Sequence, residues 1–147
     1  ISTAFDSSLY IKSSNLKELL PFTDLVLADI KQMNDDKSRD LTGAGNKLNL
    51  ENLKIINEYG TPIWIRYVIV PGLTDNIKDI EEMANFLVPL AAVERIELLP
   101  YHSLGKHKWD ILGLDYELEN TETPSDASLR ELAGRIASIV GNQILVR

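Results

Sequence analysis

Short apolar runs alternate along the chain with longer stretches whose apolar positions recur every three to four residues. The runs read as strands and the stretches as amphipathic helices. Residues 2–5 form a brief run that stops at Asp6-Ser7-Ser8. DLVLADIK (24–31) reads as a buried strand, and IWIRYVIVPG (63–72) is the densest strand signal, rich in β-branched and aromatic residues. VERIELL (93–99) and QILV (143–146) complete the set. Between them, Leu16, Leu19 and Leu20 share a helical face, with Asn15 as N-cap and Glu18 in the N3 position of a capping box. Leu50, Leu53, Ile56 and Tyr59 share another face, with Asn49 as cap and Gly60 just past the end. Thr74-Asp75 opens a helix carrying Ile77, Ile80, Ala84 and Leu87. Ser125 opens one carrying Leu129, Leu132, Ala133, Ile136 and Val140, which Gly141 stops. Residues 100–124, with Gly105, Gly113 and Pro124, read as a loop too long for a mere connection, hence functional or a cover.

Strands that alternate with helices imply right-handed crossovers and an α/β fold with mostly parallel strands and flanking helices. About five strands are too few for an ordinary eight-stranded barrel, so an open sheet and a truncated barrel both fit. The truncated barrel predicts an unpaired strand edge on the N-terminal side. The 147 residues, 44% hydrophobic and 25% charged, suit a single domain spanning 1–147. A net charge of −7 argues against nucleic-acid binding. No apolar run reaches the length of a membrane span and no secretory signal is visible, so a cytoplasmic protein is expected. The chain has no cysteine, which removes disulfides, thiolate zinc sites and a cysteine-held iron–sulfur cluster within these residues. It begins at Ile1 rather than Met, as a processed protein or a piece of a longer one would.

Ligands of parallel α/β folds gather at the carboxyl ends of the strands, and there this chain is polar. The first strand ends at Asp6 and the second at Asp29 and Lys31. The third carries Arg66, and the fourth runs through Glu97 to His102. The two-residue strand period puts Leu25, Leu27, Asp29 and Lys31 on one face, and Trp64, Arg66 and Val68 on one face of the next strand. A guanidinium in so apolar a run requires a partner or a ligand. Together these groups describe a pocket for a zwitterionic or anionic small molecule. Plainer readings stand beside that one. Asp29 and Lys31 make a surface ion pair, Arg66 pairs with Glu97, His102 is a loop histidine without a role, and His107 between two lysines is solvated. GAG (43–45) follows a polar loop rather than a strand and fails as a dinucleotide fingerprint. NDD (34–36) lacks the rest of an EF-hand loop. Lys31 at a strand end also fits a Schiff-base lysine of a barrel lyase or aldolase. A non-catalytic module that binds a nucleoside or peptide is a third possibility.

DLVLADIKQMN (24–34), IWIRYVIVPGLTDN (63–76) and ERIELLPYHSLGKHKW (94–109) resemble, in that order and spacing, the carboxyl-terminal part of pyruvate formate-lyase activating enzymes, a family of radical S-adenosylmethionine activases. The resemblance implies a partial (β/α)6 TIM-like barrel. It implies that a [4Fe–4S] cluster reductively cleaves S-adenosylmethionine, and that the resulting 5′-deoxyadenosyl radical takes hydrogen from a backbone glycine of pyruvate formate-lyase. A flavodoxin or ferredoxin-type reductant is implied as electron donor. By the same resemblance Lys31 and His102 line the S-adenosylmethionine pocket. Asp6 and Asp29 stand beside its methionyl end, where a monovalent cation fits near the Leu27 carbonyl. Arg66 faces the substrate glycine loop or the methionyl carboxylate. SLGKHKW becomes a loop over the site, shaped by His107 and Trp109. The cluster-binding CxxxCxxC motif and the Gly-Gly-Glu segment of the family are absent and belong upstream of Ile1. The chain is then expected to lack the cluster-binding N-terminal part and to be inactive alone.

Overall fold

The computed structural model of the chain describes residues 1–141 and 144–146. Five strands, β1 (Ala4–Ser7), β2 (Leu25–Asp29), β3 (Ile63–Ile69), β4 (Val93–Pro100) and β5 (Leu145–Val146), form one sheet in chain order, and every neighbouring pair is parallel. Helices α1 (Ser13–Leu19), α2 (Asp35–Thr42), α3 (Lys47–Tyr59), α4 (Ile77–Leu87), α5 (Lys106–Leu112) and α6 (Asp126–Val140) fill the connections. Right-handed crossovers between strands that stay in chain order put the intervening helices on the same face. Burial follows that rule. On β3, Ile63, Ile65, Tyr67 and Ile69 are fully buried, while Trp64, Arg66 and Val68 between them are only half-buried. One face of the sheet is the core and the other is bare. β1 pairs with β2 alone among the described residues, leaving the expected open edge.

The apolar stripes fall largely where periodicity placed them. Leu16, Leu53, Ile56, Ile80, Ala84, Leu87 and Ile136 are buried, whereas Leu19, Tyr59 and Ile77 at the stripe margins are exposed. The capping assignments fare less well. α1 starts at Ser13, and the Lys12 carbonyl accepts the first turn's amides, so no Asn15–Glu18 capping box forms. α3 starts at Lys47, and Asn49 instead donates its amide to the Ser8 carbonyl at 2.7 Å. α4 is capped by Asn76, while Thr74 and Asp75 brace the turn before it. Ser125 and Gly60 act as expected. The long loop holds a 3-10 turn (Ser103–Gly105) and α5, neither with a buried residue. α2 buries only Ser38, so it carries no apolar stripe to read, and Asn34 caps it. Of the last expected strand, Leu145–Val146 pair with β4, Ile144 precedes the strand and Gln143 lies outside the described residues.

Side-chain amides fix the turns that follow β1 and β2. Leu9 adopts a left-handed φ of 61° yet is buried. Asn52 of α3 donates to the carbonyls of Leu9 (2.9 Å) and Ile11 (2.8 Å) and accepts from Ser13 Oγ (2.8 Å). After β2, Gln32 Oε1 accepts from the Met33 and Asn34 amides, and its Nε2 donates to Asp79 at 3.2 Å. Asn46 closes the same turn by donating to the carbonyls of Gln32 and Met33. Gly45 lets the chain pass there, because a Cβ would lie 2.4 Å from Asp35 Oδ1. At the end of β4 the Tyr101 hydroxyl meets that of Tyr116 at 2.6 Å and donates to the Leu118 carbonyl, which ties down the return from α5. The Tyr116 contact, with burial, pushes Tyr101 up to about 12.

Asn52→Ala is expected to cost about 2–3 kcal/mol, because it strands the buried Leu9 carbonyl and the half-buried Ile11 carbonyl at a backbone held in an unfavourable region. Urea unfolding of the variant checks this. Tyr116→Phe is expected to bring the Tyr101 titration, read by tyrosinate absorbance, down toward about 10. The raised value means that this contact stabilises fully below the unfolded tyrosine's value and is lost as pH rises to about 12.

Candidate functional site

The bare face carries two rows of side chains across the strands. Asp6, Leu27, Trp64 and Arg95 are register neighbours in one, and Asp29, Arg66 and Glu97 in the row nearer the carboxyl ends. Strand geometry sets these rows, because parallel neighbours stand about 4.8 Å apart with same-parity residues on one face.

Four of the five expected site residues meet there. Arg66 Nε donates to Asp29 Oδ1 at 2.9 Å, and its terminal nitrogen donates to Asp6 Oδ1. Lys31 Nζ donates to the other Asp29 oxygen at 3.1 Å. The cluster therefore contains two carboxylates and two cations. Arg66 and Asp29 are largely covered, with side-chain exposures of 21% and 19%, while Asp6 is open at 56%. Burial works against the Arg66 charge, yet Asp6 and Asp29 outweigh it and hold the guanidinium above its ordinary value. His102 is exposed at the same end of the sheet, just beyond β4, but makes no hydrogen bond to the cluster. Its strand is two away from that of Asp29.

The plainer pairing of Arg66 with Glu97 is not the one formed. Arg95 takes Glu97 instead, at 3.1 Å, and stacks on the Trp64 ring with its guanidinium carbon 3.6 Å from the centroid. Trp64 was placed on the face of Arg66 from the sequence, but Arg95 was not singled out as a site neighbour. The i, i+2 spacing of Arg95 and Glu97 was the available signal. SLGKHKW is not an irregular loop over the cluster. It winds into the 3-10 turn and α5, and His107 Nδ1 contacts the Leu104 carbonyl of its own turn at 3.0 Å. Trp109 packs near Tyr116 and, with Leu41 and Leu73, lines a cleft of about 480 Å³. A second cleft of about 250 Å³ adjoins Asp29 and Lys31, between Ser8, Tyr10, Thr42 and Asn46.

The donor set favours a ligand carrying both signs of charge. Lys31 and Arg66 can meet a carboxylate and Asp6 and Asp29 an ammonium. It does not fit an iron–sulfur cluster, because the chain supplies no thiolate. Among the described residues no group of three or more His, Asp or Glu side chains could hold a metal ion, and no helix is long and apolar enough to cross a membrane.

No family model matches the chain. It is 38% identical over 136 residues to the pyruvate formate-lyase 1-activating enzyme of Escherichia coli (strain K12), a match covering 91% of this chain and 55% of that protein. The chain thus spans about half the length of the curated relatives it matches. A crystal structure of a domain of pyruvate-formate lyase-activating enzyme from Bacteroides vulgatus superposes with a TM-score of 0.76 and 25% identity, covering all of this chain and 80% of that one. Streptococcus suis SuiB, solved bound to S-adenosylmethionine, shares the fold at a TM-score of 0.72 and 15% identity, over all of this chain and 32% of its own. Over nine-tenths of its length the chain is therefore a homologue of the pyruvate formate-lyase activating enzymes, and it corresponds to about half of one.

Proposed function

We propose that the chain is the carboxyl-terminal part of a glycyl-radical-enzyme activase and forms half of its S-adenosylmethionine site. The observation that carries this reading is the convergence of Asp6, Asp29, Lys31 and Arg66 on the bare face. The relatives' name supplies the substrate, pyruvate formate-lyase. SuiB shows that a protein of this fold takes up S-adenosylmethionine. S-adenosylmethionine and an iron–sulfur cluster together supply the one-electron chemistry by which an activase takes hydrogen from a backbone glycine.

This chain's own residues bind and orient. Lys31 lines the S-adenosylmethionine pocket, Asp29 and Asp6 stand beside the methionyl end with a monovalent cation, and Arg66 faces the methionyl carboxylate or the incoming glycine loop. His102 closes the site from the end of β4. The cluster's thiolates come from outside these 147 residues, and a flavodoxin or ferredoxin-type protein delivers the electron. Lys31 sits in an ion pair with Asp29 rather than in an apolar pocket, which counts against the lyase reading.

Calorimetric titration with S-adenosylmethionine is expected to show weak binding that falls about tenfold or more in Lys31→Met and in Asp29→Asn, the scale of a lost charged contact. Equal affinity in all three proteins contradicts the assignment. Iron–sulfur reconstitution of the chain alone is expected to give no cluster absorption. Borohydride trapping of a carbonyl substrate on Lys31 would move the function to a lyase.

A further inference from the structure

Lys31 stands where the sheet no longer holds the chain. The ladder between β2 and β3 runs out at Ile30, whose amide donates to the Arg66 carbonyl at 3.1 Å. Beyond that bond the turn into α2 decides where Lys31 projects. Gln32, the next residue, is buried and works through its side-chain amide. Its Oε1 accepts from the Met33 amide at 2.6 Å and the Asn34 amide at 3.3 Å, while Nε2 donates to Asp79 Oδ2 at 3.2 Å. The Leu73 carbonyl, 3.5 Å from Nε2, is too distant to hold it alone.

Asp79 belongs to the first turn of α4 and is 6% exposed, the one carboxylate buried to that degree among the described residues. Burying a carboxylate is costly unless hydrogen bonds compensate. Lys37 of α2 donates to the same oxygen at 2.7 Å, but its side chain is half-exposed and can find water instead. The Gln32 amide has no such recourse. An ionised carboxylate only accepts. The amide thus lies between one acceptor and two donors, and a single orientation satisfies all three. Turned over, it would set its NH2 against two backbone amides and its oxygen against a carboxylate.

We propose that Asp79 is a positioning residue for Lys31. It fixes the Gln32 amide, the amide holds the turn after β2, and the turn presents Lys31 to Asp29 and to the bound ligand. The proposal deepens the S-adenosylmethionine reading and rests on it for the ligand, not for the placement of Lys31.

Two measurements on the full chain test it. One is calorimetric affinity for S-adenosylmethionine. The other is the ¹⁵Nζ signal of Lys31, assigned by its loss in Lys31→Met. Asp79→Leu is expected to weaken binding about tenfold and to move the Lys31 signal toward that of solvated lysines. Asp79→Asn, which keeps an oxygen for Gln32, is expected to stay within about twofold of the parent in affinity. In the Lys31→Met and Gln32→Met backgrounds the Asp79→Leu loss is expected to vanish. Thermal melts establish that each variant is folded. If Asp79→Leu does not fold, Gln32→Met takes its place with the same expected loss, which must likewise vanish in Lys31→Met. An undiminished loss in the Lys31→Met background, an equal loss in Asp79→Asn, or an unmoved Lys31 signal overturns the proposal. If the parent itself binds no S-adenosylmethionine, the ligand reading fails, and the Lys31 signal alone then decides the positioning.

Discussion

Strand order is the constraint on which the site depends. Five parallel strands that keep chain order send their crossover helices to one side, so the sheet has one packed face and one bare face. A doubly wound sheet would bury both faces and leave only a crevice for polar groups. Here charged side chains stand on the sheet itself without being sealed under a helix. Arg66 occupies the middle of the most apolar strand, yet its neighbours Ile65 and Tyr67 do the burying on the other side.

The charges on that face are arranged as closed sets. Asp6, Asp29, Lys31 and Arg66 balance one another, as do Arg95 and Glu97. A balanced set is tolerable when half-buried, and it can exchange partners with a zwitterion at modest cost because each displaced group finds a new one. The rigid parts lie behind it. Asn52, Gln32 and Asn46 pin the turns after β1 and β2 through backbone carbonyls and amides, which fixes where Asp6 and Lys31 project.

Much of this was legible in the sequence, for physical reasons. The apolar runs of β2, β3 and β4 signal burial, and period-two alternation put Asp29 with Lys31, and Arg66 with Trp64, on one face of their strands. α2 was missed because DDKSRDLT has no apolar stripe, and its cap Asn34 is visible only once the turn is built. α5 was missed because it buries nothing. The caps of α1 and α3 slipped by a few residues because Lys12 and Asn46 occupy the cap positions without bonding through their side chains. The choice of Asp6 over Glu97 by Arg66 is a three-dimensional matter. Both are carboxylates on the same face, and only the grip of Arg95 on Glu97 distinguishes them. His102 reaches the right end of the sheet but not the cluster.

The claim that the bare face, and not the clefts around α5, receives S-adenosylmethionine is tested most directly by backbone amide NMR during titration with that compound. The account predicts shifts concentrated at Asp6, Asp29, Lys31 and Arg66, with the 103–119 segment little changed. Shifts confined to Trp109, Tyr116 and Leu73, with β1 and β2 unmoved, would contradict it.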